Sequence, residues 1–93
     1  MVNHYNIRAF GCVQNIGFRH SGKVRADELG VAGYIKNQPD GSVYIEAEAS
    51  QEKLKQFIDW CGRGPALAQV KKIEVSEAPL VGYVGFGIRQ SSG

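Results

Sequence analysis

Cysteine is scarce in this chain. The two cysteines, Cys12 and Cys61, are too few for a secreted disulfide framework. No CxxC or HxxxH spacing joins them to His4 or His20, so the sequence holds no metal-site motif. Both read as free thiols, although the topology argued below brings them to one end of a sheet, where a bridge stays open. Runs of like charge are also missing. The 11 Lys and Arg are spread along the chain against 9 Asp and Glu, for a formal charge of +2, a balance that suits a small anion better than a long polyanion. No nucleic-acid partner is expected on that ground. Met1-Val2-Asn3-His4 lacks the basic and apolar regions of a signal peptide, and no run of about 18 apolar residues exists to span a bilayer. The expectation is a cytoplasmic protein with no membrane partner. Internal repeats and low-complexity stretches are absent too.

With 43% hydrophobic and 22% charged residues, the chain has the composition of a folded domain. Its 93 residues leave room for one domain, 1–93 with a core from about 4 to 89, and none for a separate cofactor domain. A monomer without a cofactor or metal is the expectation, with Ser91-Ser92-Gly93 as a frayed end.

Residues 4 to 10 alternate, with Tyr5, Ile7 and Ala9 on one side and Asn6, Arg8 and Phe10 on the other, as in a half-buried strand. Gly11 to Arg19 has no stable period. Helix-compatible residues run from about His20 to Leu29 and stop at Gly30, with Phe18, Gly22, Ala26 and Leu29 on one face. Gly22 costs a helix about 1 kcal/mol against Ala, so it is read as permitting close packing. Residues 33 to 38 and 42 to 49 form two strands around the turn Pro39-Asp40-Gly41. Ser50 caps a second helix in which Leu54, Phe57, Ile58 and Cys61 recur at i, i+3, i+4 and i+7, ended by Gly62, Gly64 and Pro65. Val70 to Glu77 is a fourth strand, and Tyr83 to Arg89 an edge strand. The order implies an α+β, ferredoxin-like βαββαβ sandwich: a mixed, mainly antiparallel sheet, two helices on one face, and a short extra C-terminal strand.

Strands one and two are joined through a helix, so within one sheet they run parallel and their C-terminal ends share an edge. At that edge lie the loop Gly11-Cys12-Val13-Gln14-Asn15-Ile16-Gly17-Phe18-Arg19 and the strand-two residues Lys36 and Asn37. The loop leads into a helix N-terminus, where unpaired N–H groups and the helix dipole favour an anion. Gly11 and Gly17 are expected to let the backbone curl into a nest for phosphate oxygens. Arg19 could add two parallel hydrogen bonds. Taken alone, Arg19 reads as a solvated helix-start residue before an anion ligand, and Asn37 as a turn residue ahead of Pro39 before a catalytic amide. Phe18 reads as core before substrate platform. His20 reads as an exposed helix residue, and Asp27, Glu28, Glu46 and Glu48 as solvated faces with no acid/base pair among them.

At these residues the chain resembles the acylphosphatase family over nearly its full length. Gly11 to Arg19 is similar to the family's G-x-V-Q-G-V-G-F-R loop, and Ala26-Asp27-Glu28-Leu29-Gly30 to its A-x-x-L-G. Gly33-Tyr34-Ile35-Lys36-Asn37 with Asp40-Gly41-Ser42-Val43 resembles the second signature, and Gly64-Pro65-Ala66-Leu67-Ala68-Gln69-Val70 the later G-P-x-x-A-x-V. The resemblance implies hydrolysis of the carboxyl-phosphate bond of a small acyl phosphate, with inorganic phosphate as product and inhibitor and no metal. It implies that Gln14, Asn15, Ile16, Gly17, Phe18 and Arg19 hold the phosphate, while Arg19 and Asn37 are catalytic, Asn37 holding the attacking water. Three departures stand out. Asn15 replaces the usual Gly, Ile35 a smaller residue, and Ala49 a glycine. Asn tolerates left-handed backbone better than other side chains, so the loop is expected to be kept. Two other readings remain: a non-catalytic phosphate-binding relative, and an RNA-binding ferredoxin-like module, faintly echoed in Gly82-Tyr83-Val84-Gly85-Phe86-Gly87-Ile88-Arg89.

Overall fold

The alternation along the first strand, with Ile7 and Ala9 fully buried between partly exposed neighbours, builds one side of a five-stranded sheet. The computed structural model describes residues 1–90; the expected frayed end at 91–93 lies outside them. The elements are β1 (Val2–Cys12), α1 (Phe18–Leu29), β2 (Ala32–Asn37), β3 (Val43–Ser50), α2 (Gln51–Arg63), β4 (Gln69–Ala78) and β5 (Phe86–Arg89). Sheet order is β4-β1-β3-β2-β5. β1 and β2 both run antiparallel to β3, and are therefore parallel to each other on its two sides. β4 pairs antiparallel with β1, and β5 parallel with β2. This is the ferredoxin-like sandwich expected from the order of elements, with the added strand at the β2 edge.

Both helices cover one face. α2 contributes Leu54, Phe57 and Cys61, all fully buried, as its heptad-like spacing demands. Burying the Leu and Phe side chains stabilises by roughly 1.5–3 kcal/mol each. Ser50 caps the helix, its Oγ accepting from the Lys53 N–H at 3.4 Å. α1 buries Phe18, Gly22 and Ala26. At Gly22 an added Cβ would stand 2.9 Å from Ile35 Cδ1 and 3.6 Å from the Trp60 ring. The missing side chain is thus what lets α1 approach the sheet and α2 together. Ile35, one of the three departures, is the core residue that fills this contact.

Several helix and strand ends differ from the sequence expectations, and three of the differences have a visible cause. α1 starts at Phe18, two residues early, because Phe18 is core, with its ring packed on Trp60 at a centroid distance of 5.3 Å. β1 continues to Cys12 through a register shift at Phe10/Gly11. Gly11 has φ 125° and lies against the Gln69 backbone of β4, so it serves this close approach and not the curl of the loop beyond it. The last strand begins only at Phe86, because Gly82 and Gly85 take left-handed backbone, at φ 88° and 71°. Both cysteines are free; Cys12 is exposed, and burial pushes the Cys61 thiol up.

The opposite face of the sheet corrects the reading of Glu46 and Glu48 as solvated. Residues 79–85 fold back over it, and Glu48 is only 5% exposed. Its carboxylate accepts from the backbone N–H groups of Val81 (2.6 Å), Gly82 (3.0 Å) and Tyr83 (3.0 Å), and from His4 Nδ1 at 2.7 Å. His4 Nε2 faces Asn6 Oδ1 at 3.0 Å and Glu46 Oε1 at 3.1 Å. Glu46 also accepts from the hydroxyls of Tyr34, Tyr44 and Tyr83. Both His4 nitrogens therefore face acceptors, which suits the doubly protonated cation. Burial opposes that charge, but the hydrogen bonds to Glu48 and Asn6 and the two carboxylates outweigh it and raise the His4 pKa. Burial would likewise lift the Glu48 carboxyl, yet His4 and the three N–H groups hold it down at about 2.

Candidate active site

The parallel course of β1 and β2 around β3 brings the residues after Cys12 and the end of β2 to one edge of the sheet. Residues 13–17 bridge from β1 into α1. Two of them take left-handed backbone, Asn15 at φ 63° and Gly17 at φ 81°, ψ 14°. Asn15 thus adopts the conformation for which a glycine would be favoured. Among the described residues, the backbone N–H groups of Asn15, Ile16 and Gly17 donate to no backbone carbonyl. α1 opens with Gly17 at its N-cap, no side-chain cap and no acid in its first turn, and its first internal bond runs from Ser21 N–H to the Gly17 carbonyl at 2.9 Å. The N–H groups of Phe18, Arg19 and His20 are left as the orphan donors that every helix start exposes.

A cavity of about 380 Å³ lies over these groups, at the small end of the range for ligand pockets. Asn15, Gly17, Phe18, Arg19 and Asn37 line it together, although Arg19 and Asn37 come from different elements. Gln14 and Ile16 do not line it. Ile16 packs against the core, and the Gln14 amide turns to the β2–β3 hairpin, donating to the carbonyls of Gln38 at 2.7 Å and Ser42 at 2.8 Å. The Arg19 guanidinium makes one long bond, Nη1 to the Arg89 carbonyl at 3.4 Å. Among the described residues the other four of its five N–H donors have no partner.

Val13, His20, Ile88 and Gln90 complete the lining. Ile88 and Gln90 escaped the sequence reading because they arrive through the parallel pairing of β5 with β2, in which Lys36 faces Arg89. The alternation of the last strand could be read, but its partner could not. Among the described residues no three His, Cys, Asp or Glu side chains are grouped to hold a metal ion, and no helix is long and apolar enough to cross a membrane.

The acylphosphatase family profile matches residues 5–88. The chain belongs to the acylphosphatase family. A protein named acylphosphatase from Ligilactobacillus salivarius is 43% identical over 89 residues, covering 94% of this chain and 98% of its own length. One of the same name from Thermotoga maritima is 41% identical over 83 residues, covering 89% of this chain and 92% of its own. The crystal structure of acylphosphatase from Bacillus subtilis superposes with a TM-score of 0.91 at 36% identity, covering 96% of this chain and 99% of that one. The protein is an acylphosphatase enzyme, and its substrate class is the small acyl phosphates. In this acylphosphatase the sheet edge, the left-handed loop and the uncapped helix start together form the cavity just described.

Proposed function

We propose that the backbone of residues 15–19 and the Arg19 guanidinium hold the substrate's phosphoryl group, while the Asn37 amide holds the water that attacks it. One observation carries this reading: an uncapped helix start, a loop whose N–H groups meet no backbone carbonyl among the described residues, one arginine and one amide all line the same cavity. Phosphoryl transfer spreads charge over the equatorial oxygens in a loose transition state, so catalysis asks mainly for positioning and electrostatic stabilisation. Backbone N–H donors and a permanently charged guanidinium supply the second.

The leaving group is a carboxylate, whose conjugate acid has a pKa of roughly 4 to 5. It departs with the electron pair of the broken P–O bond and needs no proton. Water forms the new P–O bond, and its proton passes to solvent or to the phosphate product. Asn37 can accept one hydrogen from that water and donate another to a nearby oxygen. Fixing the water in this way replaces an entropic cost that reaches about 7 to 11 kcal/mol in the best-oriented systems.

Benzoyl phosphate hydrolysis with inorganic phosphate as competitor tests the assignment. Arg19→Ala should lower kcat/KM by about 100-fold or more and weaken phosphate inhibition with it. Asn37→Ala should lower kcat by about 100-fold and leave the inhibition constant nearly unchanged. Near-normal hydrolysis by Arg19→Ala, or equal losses of kcat and phosphate affinity in Asn37→Ala, would contradict the roles given.

A further inference from the structure

Gln14 sits in the loop yet turns away from the cavity, and both N–H donors of its side-chain amide are committed. Nε2 carries two protons, and two carbonyls stand at hydrogen-bond distance: Gln38 at 2.7 Å and Ser42 at 2.8 Å. Each carbonyl already accepts one backbone N–H, Gln38 from Gly41 at 3.1 Å and Ser42 from Gln38 at 2.8 Å. Gln14 takes the second lone pair of each. Its two acceptors flank the cross-strand pair Asn37 and Val43, where β2 ends and β3 begins. The clamp therefore closes one residue beyond Asn37.

The hairpin also has hydrogen bonds of its own. The Gly41 N–H closes a turn on the Gln38 carbonyl, and Asp40 Oδ1 accepts from both the Ser42 N–H at 2.9 Å and the Ser42 hydroxyl at 2.6 Å. Ser42 is itself buried. What Gln14 adds is a fixed spacing between this stiff frame and the next residue of the loop, Asn15, which lines the cavity. We propose that Gln14 is a positioning residue: by gripping the Gln38 and Ser42 carbonyls it sets where the Asn37 amide stands relative to the phosphate loop. This rests on the role given to Asn37 above.

The test uses the full chain, benzoyl phosphate as substrate and inorganic phosphate as competitor. Gln14→Met keeps the length of the side chain and removes both donors. It should lower kcat by about tenfold or more, since misplacement by an ångström can cost about 100-fold, while the phosphate inhibition constant stays within about threefold. In the Asn37→Ala background the same substitution should change kcat by less than about twofold, because the group it positions is gone. A kcat equal to wild type in Gln14→Met, or an equal proportional loss with and without Asn37, overturns the proposal. If Asn37→Ala loses turnover and Gln14→Met does not, the clamp alone fails. If Asn37→Ala keeps full turnover, the water-holding role fails and the clamp with it. Gln14→Glu gives a second readout should Gln14→Met not fold. Its kcat, divided by that of wild type at each pH, should rise on acidification as the protonated carboxyl regains one donor. A flat ratio contradicts the clamp.

Discussion

Replacing Glu48 with Gln keeps the shape of the side chain and removes its charge at the point where residues 79–85 are tied to the sheet. The carboxylate accepts four hydrogen bonds, three from backbone N–H groups and one from His4. An amide has one accepting oxygen and places its NH2 group against donors. A carboxyl lowered from 4.5 to about 2 is stabilised in the folded state by about 3 kcal/mol. Leaving one or two buried donors unsatisfied, at about 1–3 kcal/mol each, gives a similar figure. Glu48→Gln should therefore lose about 3 kcal/mol in urea denaturation at pH 6, or roughly 10–25 °C in Tm for a domain of this size. The pH dependence has a definite sign. A depressed folded-state pKa contributes stability above 4.5 that is lost as pH falls toward 2, so wild type should lose this contribution across that window and the variant should not. Turnover at 20 °C should stay within about twofold of wild type, because Glu48 lies outside the cavity lining. A loss below about 1 kcal/mol with an unchanged acid limb would refute the reasoning.

The same cluster predicts an alkaline limb. His4 has a raised pKa, so its contribution is complete below 6.5 and is lost as pH rises through its folded-state value. Urea midpoints followed upward from about pH 6 should decline in wild type and stay flatter in His4→Gln, and parallel curves would remove His4 from the account. Because the His4–Glu48 bond underlies both limbs, the two contributions do not add. In the loop, Asn15→Ala should cost about 1–2 kcal/mol by placing a Cβ without a compensating side chain in left-handed backbone, while Asn15→Gly should cost less and retain turnover. Equal stability of the two variants would show that the φ of 63° carries no strain.

Much of the scaffold could be read from pattern alone, because each face it relied on is buried by the same residues that repeat. The alternation of Val43, Ile45, Ala47 and Ala49, and the helical spacing of Leu54, Phe57 and Cys61, are both core in the structure. The convergence of the loop with Asn37 followed from topology, since two strands joined through a helix point the same way. Long-range tertiary choices were not readable. Glu46 and Glu48 occupy the polar side of an alternating strand, and nothing in that alternation says that residues 79–85 return to cover it. Gln14 has the composition of a loop residue, and its bond to the hairpin exists only once β2 and β3 are paired. Ile88 and Gln90 enter the cavity lining through a parallel pairing that local sequence does not encode.

The central claim is that a left-handed loop and a helix start grip phosphate through their N–H groups, beside one arginine. Titrating the 15N-labelled protein with inorganic phosphate and following backbone amide shifts tests it most directly. The account predicts the largest saturable shifts at residues 15–20, retained in Asn37→Ala and lost in Arg19→Ala. Shifts centred elsewhere, or phosphate binding undiminished in Arg19→Ala, would contradict it.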